Sequence, residues 1–403
     1  MSDNTRTFQL SFFVLIALTG GLAILSSTMS KTPVLPLFAE SLGATPAEIG
    51  WIVIASTIPG ILVSFPAGAL SDFLGHRRVL LASLFVFATA PFLYLFVDSA
   101  WQLMAVRFYH GFATAIFGTV ATAAIAGHYT ADRAARLSTY SSITIVGRSV
   151  APFLGGALIS MASFGAVYVA CAVSGVLALA AGMFLRDSAP GKKQNAERPH
   201  FWKSLMTVLR DRGIMLVSLV EAAQYLAFGA IEAFLALYAA SLGIPAWQIG
   251  IILGVQLVSI VFMKPLMGRV SDRVGRRRVI VPGLLVGSAS IALLPFMSGF
   301  VGLSLLSLAF GLGFATVTSS TAALVADLTR DGRFGSSMGV LRTVMDVGQS
   351  IGPVLTGWMV VVAGYGEAFM LLAAILAAAA VVVVLGLGGR RPARAHPPQK
   401  LNR

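Results

Sequence analysis

The chain is poor in charge. Only 11% of its 403 residues are Asp, Glu, Lys or Arg, less than half the roughly 25% of ordinary soluble domains. Hydrophobic residues make up 57% and the mean hydropathy is +0.85. A water-soluble domain of this size cannot keep so little polar surface, so the bilayer must be the main solvent. Cysteine is nearly missing: Cys171 stands alone, which excludes an internal disulfide and gives thiol chemistry no partner. Five scattered histidines show no repeated metal-ligand spacing, so neither a metal centre nor another cofactor is expected. There is no ATP-binding P-loop. A cleavable leader is not expected either, because the segment before the first apolar run carries Arg6 alone, the run is long, and no A-x-A site follows it.

Long apolar runs are what the chain has. A span needs about 20 residues to cross the hydrocarbon layer, and the charge-free stretch between Arg6 and Lys31 alone holds 24. Apolar segments centre near residues 22, 58, 88, 114, 147 and 174, then near 227, 258, 287, 313, 350 and 377. Two runs are double: Val279 to Ala326 should turn around Pro295, Gly299 and Gly302, and Ser149 to Leu185 should break near Ser163 to Gly165. Twelve spans put both termini on one side. Of the 29 basic residues, five lie inside spans and the other 24 fall in terminal segments and alternate loops, while the opposite loops hold only Glu40, Glu48, Asp98 and Glu367. The positive-inside rule makes both termini cytoplasmic. The net charge of +13 then reflects topology and contact with anionic lipid headgroups rather than nucleic-acid binding.

The long polar insertion Arg186 to Arg212 divides the spans six and six. The expected organisation is a six-helix bundle over 1–185, a linker over 186–212, a second bundle over 213–388 and a disordered basic tail over 389–403. Trp202 to Leu209 reads either as a short interfacial amphipathic helix or as plain linker. A shift of 200 residues exposes a repeat: Ser41-Leu42-Gly43 returns as Ser241-Leu242-Gly243, and GALSDFLGHRR (Gly68 to Arg78) as GRVSDRVGRRR (Gly268 to Arg278), with six identities in eleven. The halves are read as parallel repeats about an axis along the membrane normal.

Gly68-x3-Asp72-x2-Gly75-x-Arg77-Arg78, with its copy Gly268, Asp272, Gly275, Arg277 and Arg278, resembles the loop signature of the major facilitator superfamily. Arg107-x3-Gly111 in the fourth span and Gly147-Arg148-x2-Ala151-Pro152-x2-Gly155-Gly156 in the fifth look like the family motifs associated with proton-coupled antiporters, although Ala151 replaces the usual Gly. Pro33-Val-Leu-Pro36-Leu-Phe and the seventh-span Ala-Ile-Glu232 also resemble the 12-span drug:proton antiporter branch. The resemblance implies an all-α membrane protein of 12 helices in two pseudo-symmetric bundles, a monomer in the inner cell membrane. It also implies a transporter, not an enzyme, carrying a small molecule and protons by alternating access. The loop motif would latch the cytoplasmic face; alternatively its arginines only enforce topology.

Eight ionisable residues lie within spans: Lys31, Arg107, Arg148, Glu221, Glu232, Lys264, Arg342 and Asp346. At about 3 kcal/mol each, leaving them unpaired in lipid would cost on the order of 20 kcal/mol, more than the roughly 5 to 15 kcal/mol stability of a typical domain. They must face one another or a wet cavity. Helical spacing gathers Glu221, Gln224, Tyr225, Phe228 and Glu232 on one stripe, Arg342, Asp346 and Gln349 on another, and Arg107, His110, Gly111 and Thr114 on a third. With Lys31 these are the candidate cavity residues. Bland readings stand beside them: Arg342 and Asp346 neutralise each other one turn apart, and Lys264 and Lys31 snorkel. Glu232 lies deep with no basic residue one turn away, so it is the leading proton carrier, with Glu221 second, Asp346 also in the coupling set, and Arg107 a charge partner whose pairing changes between states. The first-half spans carry three bases and no acid, which favours an anionic, zwitterionic or amphipathic solute, with export the expected direction. A metabolite importer or uniporter of the same fold is the competing reading; a membrane-embedded enzyme or receptor has no support in the residues.

Overall fold

The computed structural model describes residues 3–129, 132–185, 206–329 and 334–386. Among these residues there are α-helices and two short 3-10 turns, and no strand. In chain order the helices are α1 Asp3–Met29, α2 Val34–Ser41, α3 Pro46–Ala55, α4 Thr57–Leu74, α5 His76–Leu93, α6 Ala100–His128, α7 Arg133–Met161 and α8 Phe164–Met183. After the linker come α9 Arg212–Ser241, α10 Ala246–Val274, α11 Arg276–Ala292, α12 Phe300–Leu328, α13 Phe334–Ala363 and α14 Tyr365–Gly386. The tail and most of the linker lie outside the described residues, as do residues 202–205 at the head of the expected amphipathic segment.

Ten stretches among the described residues are long and apolar enough to cross a membrane. The two remaining spans are the rod made of α3 and α4, interrupted at Ser56, and the 30-residue α13, which carries Arg342 and Asp346. Pro59 explains the interruption: it has no N–H to give the Ala55 carbonyl, and its ring crowds that oxygen. Its counterpart in the repeat is Ser259, and α10 runs unbroken there. The double runs turn where the sequence places them, between Met161 and Phe164 and between Ala292 and Phe300.

Side-chain caps set several helix starts. Thr45 and Glu48 form a reciprocal capping box at α3, Ser99 accepts from Gln102 N, Ser163 from Ala166 N, and Asp211 from Gly213 N and Ile214 N. The repeated loops turn on Gly75 and Gly275, whose φ values of 89° and 105° suit residues without a Cβ.

Each half packs the same way: α1 on α7, α4 on α6 and α5 on α8 in the first, α9 on α13, α10 on α12 and α11 on α14 in the second. The halves meet away from the basic loops. There one apolar cluster crosses between them, joining Val34, Ile49 and Ile52 to Phe234, Leu237 and Ile252. Towards the basic loops the core divides into two, around Ile16 and Phe117 in one half and around Ile214 and Val325 in the other. Backbone proximity makes the shared face tight. A Cβ at Gly156 would lie 2.5 Å from the Ala246 oxygen, and one at Gly250 2.4 Å from the Pro152 oxygen, so α7 and α10 touch through glycine. The halves are therefore sealed on the face opposite the basic loops and separated by a cleft on the basic side.

Candidate functional site

Lys31 ends the first span just before α2, and Glu232 lies on α9. Lys31 Nζ donates to Glu232 Oε2 at 2.8 Å, and Thr32 Oγ1 donates to Glu232 Oε1 at 2.9 Å. Both carboxylate oxygens are thus engaged from the other half. The Glu232 side chain is only 13% exposed, and an ion pair so enclosed is maintained by its extra hydrogen bond as much as by Coulomb attraction. The pair sits at the floor of the cleft, beside the sealed face.

Arg107 on α6 is 3% exposed and lies wholly within the first half. Its guanidinium donates to Ser56 Oγ at 2.7 Å and to the Tyr94 hydroxyl at 3.4 Å, while Tyr94 stands 3.3 Å from His110 Nδ1 and stacks on Tyr168 at 4.5 Å. No carboxylate joins this cluster among the described residues, and Arg107 Nε and His110 Nε2 are buried without hydrogen-bond partners. The sequence reading made Arg107 the changing charge partner of the acids; here neutral oxygens hold it, and Lys31 takes Glu232. Gly111 allows this packing, since a Cβ there would lie 2.3 Å from the Ser56 oxygen.

Glu221 and Gln224 turn into the second half. Glu221 accepts from Thr321 Oγ1 on α12 and is 3% exposed; Gln224 is fully buried with neither amide atom partnered. Tyr225 faces the other way, towards the cleft. Its hydroxyl feels the charges of Glu221, Arg148, Arg342 and Asp346, although these residues come from three helices. Arg148 on α7 also acts on Glu232 and Lys264, and Glu221 acts on Lys264. Lys264 is thus within electrostatic reach of Glu221 and Arg148 while remaining exposed. Arg342 and Asp346 feel each other, yet no ion pair within 4 Å joins them. Phe228 packs on Phe314 behind Tyr225, and Thr114 is exposed, bonded to the Gly111 carbonyl at 3.1 Å.

The sequence profile of the Major Facilitator Superfamily matches residues 16–245 and 217–402. The chain belongs to the major facilitator superfamily. It is 25% identical over 347 residues to an uncharacterised MFS-type transporter of Methanocaldococcus jannaschii, covering 85% of this chain and 89% of that one. It is 24% identical over 358 residues to the quinolone resistance protein NorA of Staphylococcus aureus, covering 88% and 89%. Among solved structures, the nucleoside transporter NupG superposes with a TM-score of 0.82 at 14% identity, over 93% of this chain and 99% of that one. A bacterial homologue of the human lysosomal transporter Spinster, inward-facing and unoccupied, gives 0.78 at 14% identity over 96% of both. These structural likenesses establish the fold.

The superfamily loop motifs occupy the basic ends of the bundles. Arg77 donates to the Met183 carbonyl at 2.9 Å and Arg277 to the Val384 carbonyl, so each ties its loop to the last helix of its own half, a favourable place for a cation at a helix C-terminus. Arg276 bridges Asp272 and Asp327, the latter at 3.0 Å. Arg78 and Arg278 are exposed. The Gly68 and Asp72 positions lie outside the residues whose side-chain surroundings are described. The antiporter-like motif divides its faces: Gly147 and Gly155 meet the first span, Pro152 and Gly156 meet α10, and Arg148 is left exposed to the cleft. Sequence reasoning missed Ser56, Tyr94, Thr32 and Thr321. Pro59, three residues after Ser56, was the available signal for the first; the others are polar residues whose partners come from distant helices.

Proposed function

We propose that this transporter is a proton-coupled exporter of a small amphipathic organic solute in the cell membrane, with the basic loops and both termini in the cytoplasm. The excess of Lys and Arg in alternate loops supports that orientation, which makes the open cleft cytoplasmic. The observation that carries the reading is the Lys31–Glu232 bond of 2.8 Å between the halves. It closes the outer face only while Glu232 is ionised. Rocking the halves apart on the outside breaks the bond and exposes the carboxylate to external protons; closing again, the carboxylate gives its proton inward as Lys31 returns. Protonation thus biases a two-state rocking equilibrium. Glu221, joined to Thr321, is a second proton site, and Asp346 tunes the cleft beside it. Drug-resistance proteins among the relatives, NorA and the Proteus mirabilis multidrug resistance protein MdtG, support export.

Proteoliposomes test this. Substrate added to vesicles holding an imposed proton gradient should dissipate it, and Glu232→Gln should abolish coupled proton movement while exchange of substrate persists. Unchanged coupling in Glu232→Gln would place the proton elsewhere and overturn this assignment.

A further inference from the structure

Three cations inside the membrane spans lack a direct ion-pair partner among the described residues. Arg148, Lys264 and Arg342 are exposed, yet each acts electrostatically on a group of another helix, Arg148 on Glu232 and Lys264, Lys264 on Glu221, Arg342 on Tyr225. Tyr225 lies within reach of both Arg148 and Arg342, and Lys264 within reach of Arg148, so the three cations gather on the side of their helices that faces the other half. Among the described residues none of the three makes an ion pair or a hydrogen bond. Close packing fixes this convergence: a Cβ at Gly348 on α13 would lie 2.3 Å from the Ala222 oxygen of α9, bringing the stretch that carries Arg342 alongside Tyr225. On the other side the Phe153 ring of α7 lies against Gly254 of α10. Arg148 and Lys264 both lie on the cleft side of that contact, five and ten residues further towards the basic face.

Charge and shape then define a ligand. The acids near these cations are Glu221, enclosed in the second half against Thr321, and Asp346, so three positive charges meet at most two negative ones and at least one positive charge is left over. Low-dielectric walls focus the field of such a surplus and draw an anion into the cleft. Beside it stands an aromatic wall: Tyr225 meets Phe314 edge-on at 4.9 Å, and Phe314 packs on Phe228 at 4.6 Å. The Tyr225 hydroxyl has no hydrogen-bond partner among the described residues and remains available as a donor.

We infer that the cleft holds a site for a singly charged aromatic anion, its anionic group between Arg148, Lys264 and Arg342 and its ring against Tyr225. This rests on the transporter reading above and gives it a substrate class. Guanidinium groups bind carboxylates and sulfonates through paired N–H donors, while the aromatic wall supplies apolar contact without demanding one shape.

The test uses the purified full-length protein and three probes of one size: 2-naphthoate, the neutral 2-naphthalenemethanol and the cationic 2-naphthylmethylammonium. Calorimetry should show naphthoate binding at least about tenfold more tightly than the alcohol, with the ammonium weakest, as expected for desolvated charge-assisted bonds. Arg148→Gln, Lys264→Gln and Arg342→Gln should each weaken naphthoate about tenfold while the alcohol, which reports an intact cleft, stays within about twofold. Arg148→Lys and Arg342→Lys keep the charge and should retain naphthoate preference over the alcohol. Equal affinity for all three probes, or glutamine variants that still prefer naphthoate, would overturn the site. Counterflow in proteoliposomes separates the two claims. Selective naphthoate binding without flux of any probe would support the site and overturn transport, whereas ammonium flux undiminished by the three glutamine variants would overturn the site and leave transport standing.

Discussion

Thr32 and Glu232 occupy equivalent positions of the two repeats, 200 residues apart, and hydrogen-bond to each other at 2.9 Å. A contact between equivalent positions must lie on or beside the pseudo-twofold axis. The neighbouring Lys31 adds the charge that its own counterpart, Ile231, lacks. Divergence of the halves at two adjacent positions thus places a single asymmetric ion pair at their joint.

That pair should govern the resting conformation. With labels at Ser41→Cys and Ser241→Cys in a Cys171→Ser background, spin-label distance measurements should show a longer separation across the sealed face in Lys31→Ala and in Glu232→Gln than in the parent. Only interactions that differ between the two states can shift their balance. Distributions that coincide with the parent would show that the pair does not hold the sealed face.

Gly250 is predicted to tolerate no side chain while the face opposite the basic loops is shut. Gly250→Val puts bulk where even a Cβ would lie 2.4 Å from the Pro152 oxygen, and overpacking of this kind costs about 1 to 3 kcal/mol. Thermal unfolding in detergent should fall, and the same label pair should report opening. A variant with parental stability and distances would contradict the packing.

Arg107 should depend on Ser56. Ser56→Ala removes the 2.7 Å acceptor of a buried cation, a loss of about 1.5 to 3 kcal/mol for a hydrogen bond to a charged group. Adding Arg107→Met to Ser56→Ala should recover much of that stability, because the unsatisfied charge is gone. A double variant less stable than Ser56→Ala alone would mean that Arg107 has a partner beyond Ser56 and Tyr94.

On the face opposite the basic loops, the Thr45 backbone and hydroxyl hold the Glu48 carboxyl below the usual carboxylate range. Because its folded pKa is depressed, the ionised form stabilises the fold at pH above the ordinary value near 4.5, and the contribution disappears as pH falls through the lower folded value. Thr45→Ala should cost about 1 kcal/mol at neutral pH and lose this acid sensitivity, read by hydrogen exchange of the first turn of α3 at pH 6 and pH 3. Equal exchange in both proteins at both values would rule out the cap.

Much of the architecture is visible in residue order. Hydropathy alone yields the spans because lipid cannot hydrogen-bond a backbone, so each crossing must be an uninterrupted apolar helix or a guarded break. The 200-residue repeat announces two matching bundles. The intramembrane charges stand out because lipid penalises them wherever they lie. Partner choice is another matter. Lys31 finds Glu232 through contacts made only when the halves meet, and Arg107 finds Ser56 and Tyr94, neutral residues that no charge count would select.

The amino-acid sequence thus determined which segments cross the membrane, how they repeat and which charged groups had to be sheltered, since each of these follows from the local free energy of transfer into hydrocarbon. Tertiary packing alone decided which charge meets which. Helical periodicity gives a side chain its direction about one axis, but the distance between two axes is set by glycine contacts such as Gly156 on Ala246 and Gly348 on Ala222, and by which face of the molecule is closed.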